Sequence, residues 1–353
     1  MNRIFAAAVL LFCCTFAFAQ ANLTPCETAV TEKRYKEAIK ICEKEAKAGS
    51  VRAQVILGNL HSSGLAGKKN EKEALKWYMA AQKQGDLYSM YEIGVFHANG
   101  AGGVKQNFTE AYKWYQKAAD LGYTEAEYRL GAMNALGQGT PKDFEKSAYW
   151  YEKAALKGHF KAARMLGTMY YRGDEIKKDD ALALKWWEVA AKAGQDADMY
   201  KVVASMYRDG VGTAKDYKKS LEYFRQAFEL GDYNVLADIG RFYQDGLGVP
   251  QSDKQALDYY FAALDKGVLN PVMWISDIYR ESKTEKNYTQ SLKYLLISYQ
   301  FLTDEQIFSL KEKDAFLAKN TTAAQKEEAR AQAKEWVDAY RAKYPPKAAR
   351  GKK

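Results

Sequence analysis

Seven glycines divide this chain at an almost constant interval. Gly49, Gly85, Gly122, Gly158, Gly194, Gly231 and Gly267 stand 36 or 37 residues apart. A second column keeps the same step through Gly58, Gly94, Gly131 and Gly167, then passes to Ala204, Gly240 and Ser276. A period of about 20–50 residues marks stacked supersecondary units. Each unit packs only on its neighbours, so the core grows in one dimension and 353 residues need not split into globular domains. Chains of this kind bind other macromolecules far more often than they catalyse.

Within each period the apolar residues fall three and four apart, which is helical spacing. The fourth copy shows two such segments. The first carries Ala162, Leu166-Gly167, Tyr170-Tyr171 and Gly173; the second carries Ala183, Trp186-Trp187, Ala190-Ala191 and Gly194. The terminal glycines suit the left-handed residue that ends a helix. A glycine inside the first helix costs about 1 kcal/mol in propensity. Its recurrence at one place says that it lets the second helix approach where a Cβ would block it. The second helix repeats an aromatic column, Trp77, Trp114, Trp150, Trp186, Tyr223, Tyr259 and Tyr294. Beside it run Tyr78, Tyr115, Tyr151, Trp187, Phe224, Tyr260 and Leu295. At strict repeat spacing this stripe reads as core, with alanine pairs such as Ala80-Ala81 leaving room for the rings.

The combined pattern, Ala-x-x-x-Leu-Gly-x-x-Tyr-x-x-Gly then Lys-Ala-x-x-Trp-Tyr-x-x-Ala-Ala-x-x-Gly, resembles the Sel-one-like repeat (SLR) family, relatives of the tetratricopeptide repeats. The resemblance spans residues 35–302. It implies an all-α fold, an α-solenoid in which antiparallel helix pairs wind into a right-handed superhelix. Six full copies read 51–86, 87–123, 124–159, 160–195, 196–232 and 233–268. A half copy (35–50) precedes them, and a degenerate copy (269–303) follows with Ser276 and Leu302 in place of glycine. Ala204 replaces glycine within the body, and His61, His97 and Asn134 stand where the family usually has Tyr. The family's bacterial members imply roles in envelope assembly, regulation, host interaction or toxin immunity. Some cysteine-rich relatives are described as acting on β-lactams, but this chain has no Ser-x-x-Lys and no cysteine pair in every repeat.

The ends read differently. Arg3, the apolar run Ile4 to Phe16 and Ala17-Phe18-Ala19 form a signal peptide over residues 1–19, cleaved after Ala19. The run is shorter than the ~20 residues of a spanning helix, and nothing later is apolar enough to cross a membrane. The expected location is periplasmic or secreted. Cys13 and Cys14 leave with the signal, so Cys26 and Cys42 remain. An oxidising compartment favours one disulfide between them. Residues 20–50 read as a capping hairpin that would bring the two together. Residues 304–343 read as two C-terminal helices, the last from Ala323 to Lys343. Residues 344–353 read as a basic, disordered tail. From Lys311 onward 12 Lys or Arg face 6 Asp or Glu, which is +6 of the net +9.

No catalytic constellation, cofactor motif or metal set is legible. Gly64-Leu65-Ala66-Gly67-Lys68 is too short for a phosphate loop. His61 and His97 share a repeat column, about 10 Å apart at usual helix spacing, which is too far for one metal. The sequence therefore points to a non-enzymatic scaffold for a protein or peptide, with no nucleic acid partner. The alternatives are a β-lactam-binding or enzyme-accessory protein, and a basic envelope protein attaching to anionic surfaces through its tail. First helices line the inner, concave face of such solenoids. Their variable positions read Arg52, Val55, Ile56 and Asn59; Tyr88, Tyr91, Glu92 and Val95; Glu125, Tyr128, Arg129 and Ala132; Lys161, Arg164, Met165 and Thr168. Tyr88, Tyr91, Glu92, Tyr128, Arg129, Lys161 and Arg164 are the candidate partner-binding residues, because Tyr and Arg are enriched at interface hot spots.

Overall fold

A computed structural model describes residues 23–301 and 310–345. The signal peptide assigned to residues 1–19, and the tail beyond residue 345, lie outside them. The chain divides into two compact units, the first ending at Lys177 and the second beginning at Lys178. The described residues form 18 α-helices and no strand.

Unit 1 holds α1 (Pro25–Thr31), α2 (Tyr35–Lys47), α3 (Val51–Ser63), α4 (Glu71–Gln82), α5 (Leu87–Asn99), α6 (Phe108–Asp120), α7 (Thr124–Leu136), α8 (Phe144–Leu156) and α9 (Phe160–Arg172). Unit 2 holds α10 (Asp180–Gly194), α11 (Ala197–Asp209), α12 (Tyr217–Glu229), α13 (Val235–Asp245), α14 (Asp253–Asp265), α15 (Val272–Glu281), α16 (Tyr288–Ser298), α17 (Lys311–Asn320) and α18 (Ala323–Lys343). Within each unit consecutive helices pack on one another through α17, as the α-solenoid reading requires, and α18 packs on α16.

Short polar residues set where the second helices begin. Asn70, Asn107, Asp143, Asp179, Asp216, Ser252 and Asn287 each accept the backbone N–H three residues on. Such a cap is worth about 1 kcal/mol. The first helices close on Gly64, Gly100, Gly137, Gly173, Gly210 and Gly246, all left-handed at φ between 67° and 75°.

The mid-helix glycine does what its recurrence implies. A Cβ on Gly131 would stand 2.5 Å from the Tyr151 ring, and one on Gly94 would stand 2.6 Å from Tyr115. Gly58 meets Tyr78 and Gly240 meets Tyr260 in the same way. These rings are buried, as are Trp77, Trp150, Trp186 and Trp187. Where the glycine is Ala204 or Ser276, the contact changes character. Ser220 Oγ donates to the Ala204 carbonyl at 2.7 Å, and Ser291 Oγ to the Ser276 carbonyl at 2.8 Å.

Two boundaries differ from the sequence reading. The periodicity makes Gly194 the residue that closes its helix, yet α10 runs through it and Gln195 takes the left-handed turn at φ 45°. The cause is one extra residue. Gly194 follows Gly158 by 36, whereas Ala204 follows Gly167 by 37. The sequence reads as a basic tail from residue 344, but Tyr344 is held. Its ring lies 5.0 Å from that of Tyr340, and its hydroxyl donates to the Asp265 carbonyl. Lys343 pairs with Asp265 at 2.7 Å. The end of α14 supplies these partners, 78 residues back along the chain, which no local pattern shows.

Cys26 and Cys42 are joined, with Cα atoms 4.7 Å apart. Both residues are fully buried. The Cys26 amide also donates to Glu45 Oε1 at 2.9 Å, and Glu27 pairs with Arg52 of α3 at 2.9 Å. The first bond ties the hairpin to itself and the second ties it to the next helix. At the other end α18 lies along α16, burying Ala329, Ala333 and Val337. No helix among the described residues is long and apolar enough to cross a membrane.

Candidate functional site

The candidate residues lie in unit 1 on three successive first helices: Tyr88, Tyr91 and Glu92 on α5, Tyr128 and Arg129 on α7, Lys161 and Arg164 on α9. They do not form one exposed patch. Tyr91 is buried, its ring 5.6 Å from Tyr115 and 5.5 Å from Tyr123. It is a core residue with one polar atom. That atom, its hydroxyl, accepts from Arg129 Nη2 at 3.2 Å and Nε at 3.3 Å. Tyr88, Glu92 and Tyr128 are half-buried, while Arg129, Lys161 and Arg164 are exposed.

Around Tyr88 the polar atoms converge on Asn59 of α3. Its Oδ1 accepts from Tyr78 at 2.7 Å and from Tyr88 at 2.9 Å. Tyr88 also faces the Glu92 carboxylate. Burial pushes Glu92 above the usual carboxylate range, against the opposing pull of Tyr88 and Arg129. Burial likewise raises the Tyr78 phenol to about 12.

Glu125 has the opposite character. Its Oε2 lies 3.0 Å from His159 Nε2, and Oε1 lies 3.6 Å from Arg129 Nε. The hydrogen bond from His159, with the charges of Arg129 and Lys161 beside it, holds its pKa low despite the burial that opposes them. His159 was not among the sequence candidates. It caps α9: its Nδ1 accepts the Ala162 amide at 3.1 Å. That bond leaves the ring proton on Nε2, which therefore donates to Glu125. The ring stacks on Tyr128 with centroids 4.5 Å apart. The signal was present in the sequence, because Ser50 and Asp86 cap α3 and α5 from the same repeat position.

Two carboxylates with opposed pKa shifts thus flank one guanidinium, and aromatic rings hold the assembly from both sides. The arrangement offers fixed donors and acceptors to another molecule. Among the described residues no group of three or more His, Cys, Asp or Glu could hold a metal. Unit 2 carries a separate constellation that sequence reading missed. Glu188 Oε1 accepts from Tyr207 at 2.8 Å and Tyr223 at 2.7 Å beside a cavity of about 590 Å³.

The Sel1 repeat profile matches residues 51–86, 87–123, 124–159, 160–195, 200–232 and 235–268, which together make up more than half of the chain. The chain belongs to the Sel1 repeat family. Among solved structures this Sel1 repeat protein is similar to a protective antigen of uropathogenic Escherichia coli that displays an SLR fold. The two are 25% identical with a TM-score of 0.64, over 88% of this chain and 65% of that one. The chain thus spans less than two thirds of that relative. A Sel1 repeat protein from Oxalobacter formigenes is 26% identical, with a TM-score of 0.49 over 67% of this chain and 94% of that one. No curated protein matches the chain.

Proposed function

We propose that this Sel1 repeat protein is an exported, non-catalytic scaffold that binds a protein or peptide along the first-helix face of unit 1. One observation carries the reading: side chains from α3, α5, α7 and the cap of α9 are locked into place before any partner arrives. Asn59, Tyr88 and Glu92 form one group, and Arg129, Glu125, His159 and Tyr128 the other. Groups held this way lose little freedom on binding, so more of each contact becomes affinity. Export is supported by the signal-like N-terminus, the Cys26–Cys42 disulfide and the similarity to a bacterial protective antigen.

The test is capture of the partner from envelope extract by the mature chain, with identification by mass spectrometry. Tyr88→Ala combined with Arg129→Ala and Lys161→Glu should abolish capture and leave helicity intact, since none of the three is fully buried. Tyr91 is left unchanged because its ring belongs to the core. If this variant keeps the partner while deletion of residues 346–353 loses it at physiological salt, the tail is the binding element and the face is not.

A further inference from the structure

We infer that the Glu92 carboxylate is the receptor for a basic side chain of the bound partner, a guanidinium in preference to an ammonium. The inference rests on the first-helix face of unit 1 being the binding surface. It follows from counting donors. Tyr88 has one hydroxyl proton and two acceptors before it, Asn59 Oδ1 at 2.9 Å and the Glu92 carboxylate. Asn59 Oδ1 is already served by Tyr78 at 2.7 Å. Glu92 therefore has at most one phenol proton for two oxygens that can accept about four hydrogen bonds.

Charge points the same way. No Lys or Arg nitrogen among the described residues lies within ion-pair distance of Glu92. Arg129, the cation whose charge acts on Glu92, is bonded to Tyr91 at 3.2 Å and paired with Glu125 at 3.6 Å. Half-buried carboxylates without a cation lose water without recovering charge stabilisation. An incoming cation supplies what is missing. The surroundings favour a planar one: the half-buried Tyr88 ring stands beside the carboxylate, held edge to face on the buried Tyr78 ring 6.1 Å away. Guanidinium groups stack on aromatic rings and present paired donors to a carboxylate, whereas an ammonium is a compact, strongly hydrated point charge. A partner carboxylate at this place would face Glu92 and be repelled. It would have to turn to Arg129 instead, which is the opposite prediction.

The experiment is fluorescence anisotropy of the mature chain with a flexible Gly/Ser peptide carrying two arginines. Matched peptides carry citrulline, lysine or glutamate at the same places. The arginine peptide should bind at least about tenfold tighter than the citrulline peptide, the scale of one charge-assisted hydrogen bond. Lysine should fall between them, and glutamate should bind weakest. Glu92→Gln keeps shape and removes charge, so it should erase the preference, whereas Arg129→Gln should leave it in place. Equal binding of arginine and citrulline peptides, preference for glutamate, arginine preference surviving Glu92→Gln, or no binding of any peptide would each overturn the inference. Partner capture lost in the Tyr88/Arg129/Lys161 variant would still support the face as the binding surface. Capture that survives that variant would overturn the face itself.

Discussion

Gly131→Ala tests the central packing claim. A Cβ there would stand 2.5, 2.6 and 2.9 Å from Cδ1, Cε1 and Cγ of Tyr151, against the roughly 3.5–4.0 Å at which carbons attract. The ring is only 2% exposed, so it has nowhere to swing. Two terms oppose each other. Alanine gains about 1 kcal/mol of helix propensity over glycine, and overpacking costs about 1–3 kcal/mol. The expected net effect is a loss of about 1 kcal/mol. Tyr151→Ala alone should cost about 3–5 kcal/mol through the cavity it leaves. In that background the clash is gone, and Gly131→Ala should stabilise by about 1 kcal/mol. The sign therefore reverses, with a coupling of about 2 kcal/mol. Urea unfolding followed by circular dichroism measures the cycle. Hydrogen exchange of α7 and α8 amides localises it, since long repeat arrays depart from all-or-none unfolding. If Gly131→Ala stabilises the native chain as much as the Tyr151→Ala chain, the close-approach account is wrong.

Other expectations follow from the same geometry. Gln195→Gly should raise stability by about 1 kcal/mol, because a left-handed φ strains any residue with a Cβ; thermal melting reads it. Cys26→Ser with Cys42→Ser should destabilise the N-terminal hairpin by about 3 kcal/mol on the chain-entropy model for a loop of this size. Thiol labelling of the denatured, unreduced native chain should meanwhile find both cysteines blocked. Tyr78 is raised to about 12, so the unfolded phenol ionises first. The stability it contributes is complete below pH 10 and lost between about 10 and 12, visible as alkaline loss of helicity and weaker in Tyr78→Phe. Glu125 is held low, so its contribution is present above the ordinary carboxylate pKa and falls away as acid protonates it. Glu125→Gln should flatten that acid limb in urea titrations at stepped pH.

Recurrence made the fold legible. Gly58, Gly94, Gly131 and Gly240 occupy one column and their tyrosines another, so the need for close approach could be read before any coordinates. What recurs only once could not. Gln195 turns left-handed because a single inserted residue displaces the helix end from its glycine. Tyr88 and Tyr91 both occupy variable positions of one helix, and their fates differ only because Tyr115 and Tyr123 close over Tyr91. That is a property of neighbouring residues, invisible in the spacing of α5 itself. His159 was legible in principle, since the cap positions Ser50 and Asp86 mark its column. Its second bond, to Glu125 across 34 residues, was not.

The glycine–tyrosine contacts also bear on how the chain reaches its fold. Each joins residues 20 or 21 apart, from Gly58 with Tyr78 to Gly240 with Tyr260. Closing so short a loop costs little entropy, and chains dominated by near-sequence contacts fold fast. A polypeptide emerging from its N-terminus can therefore complete each helix pair as soon as the second helix appears. Synthesis halted just after α4, α6 or α8 would leave whole pairs behind it, each with its ring already seated on its glycine.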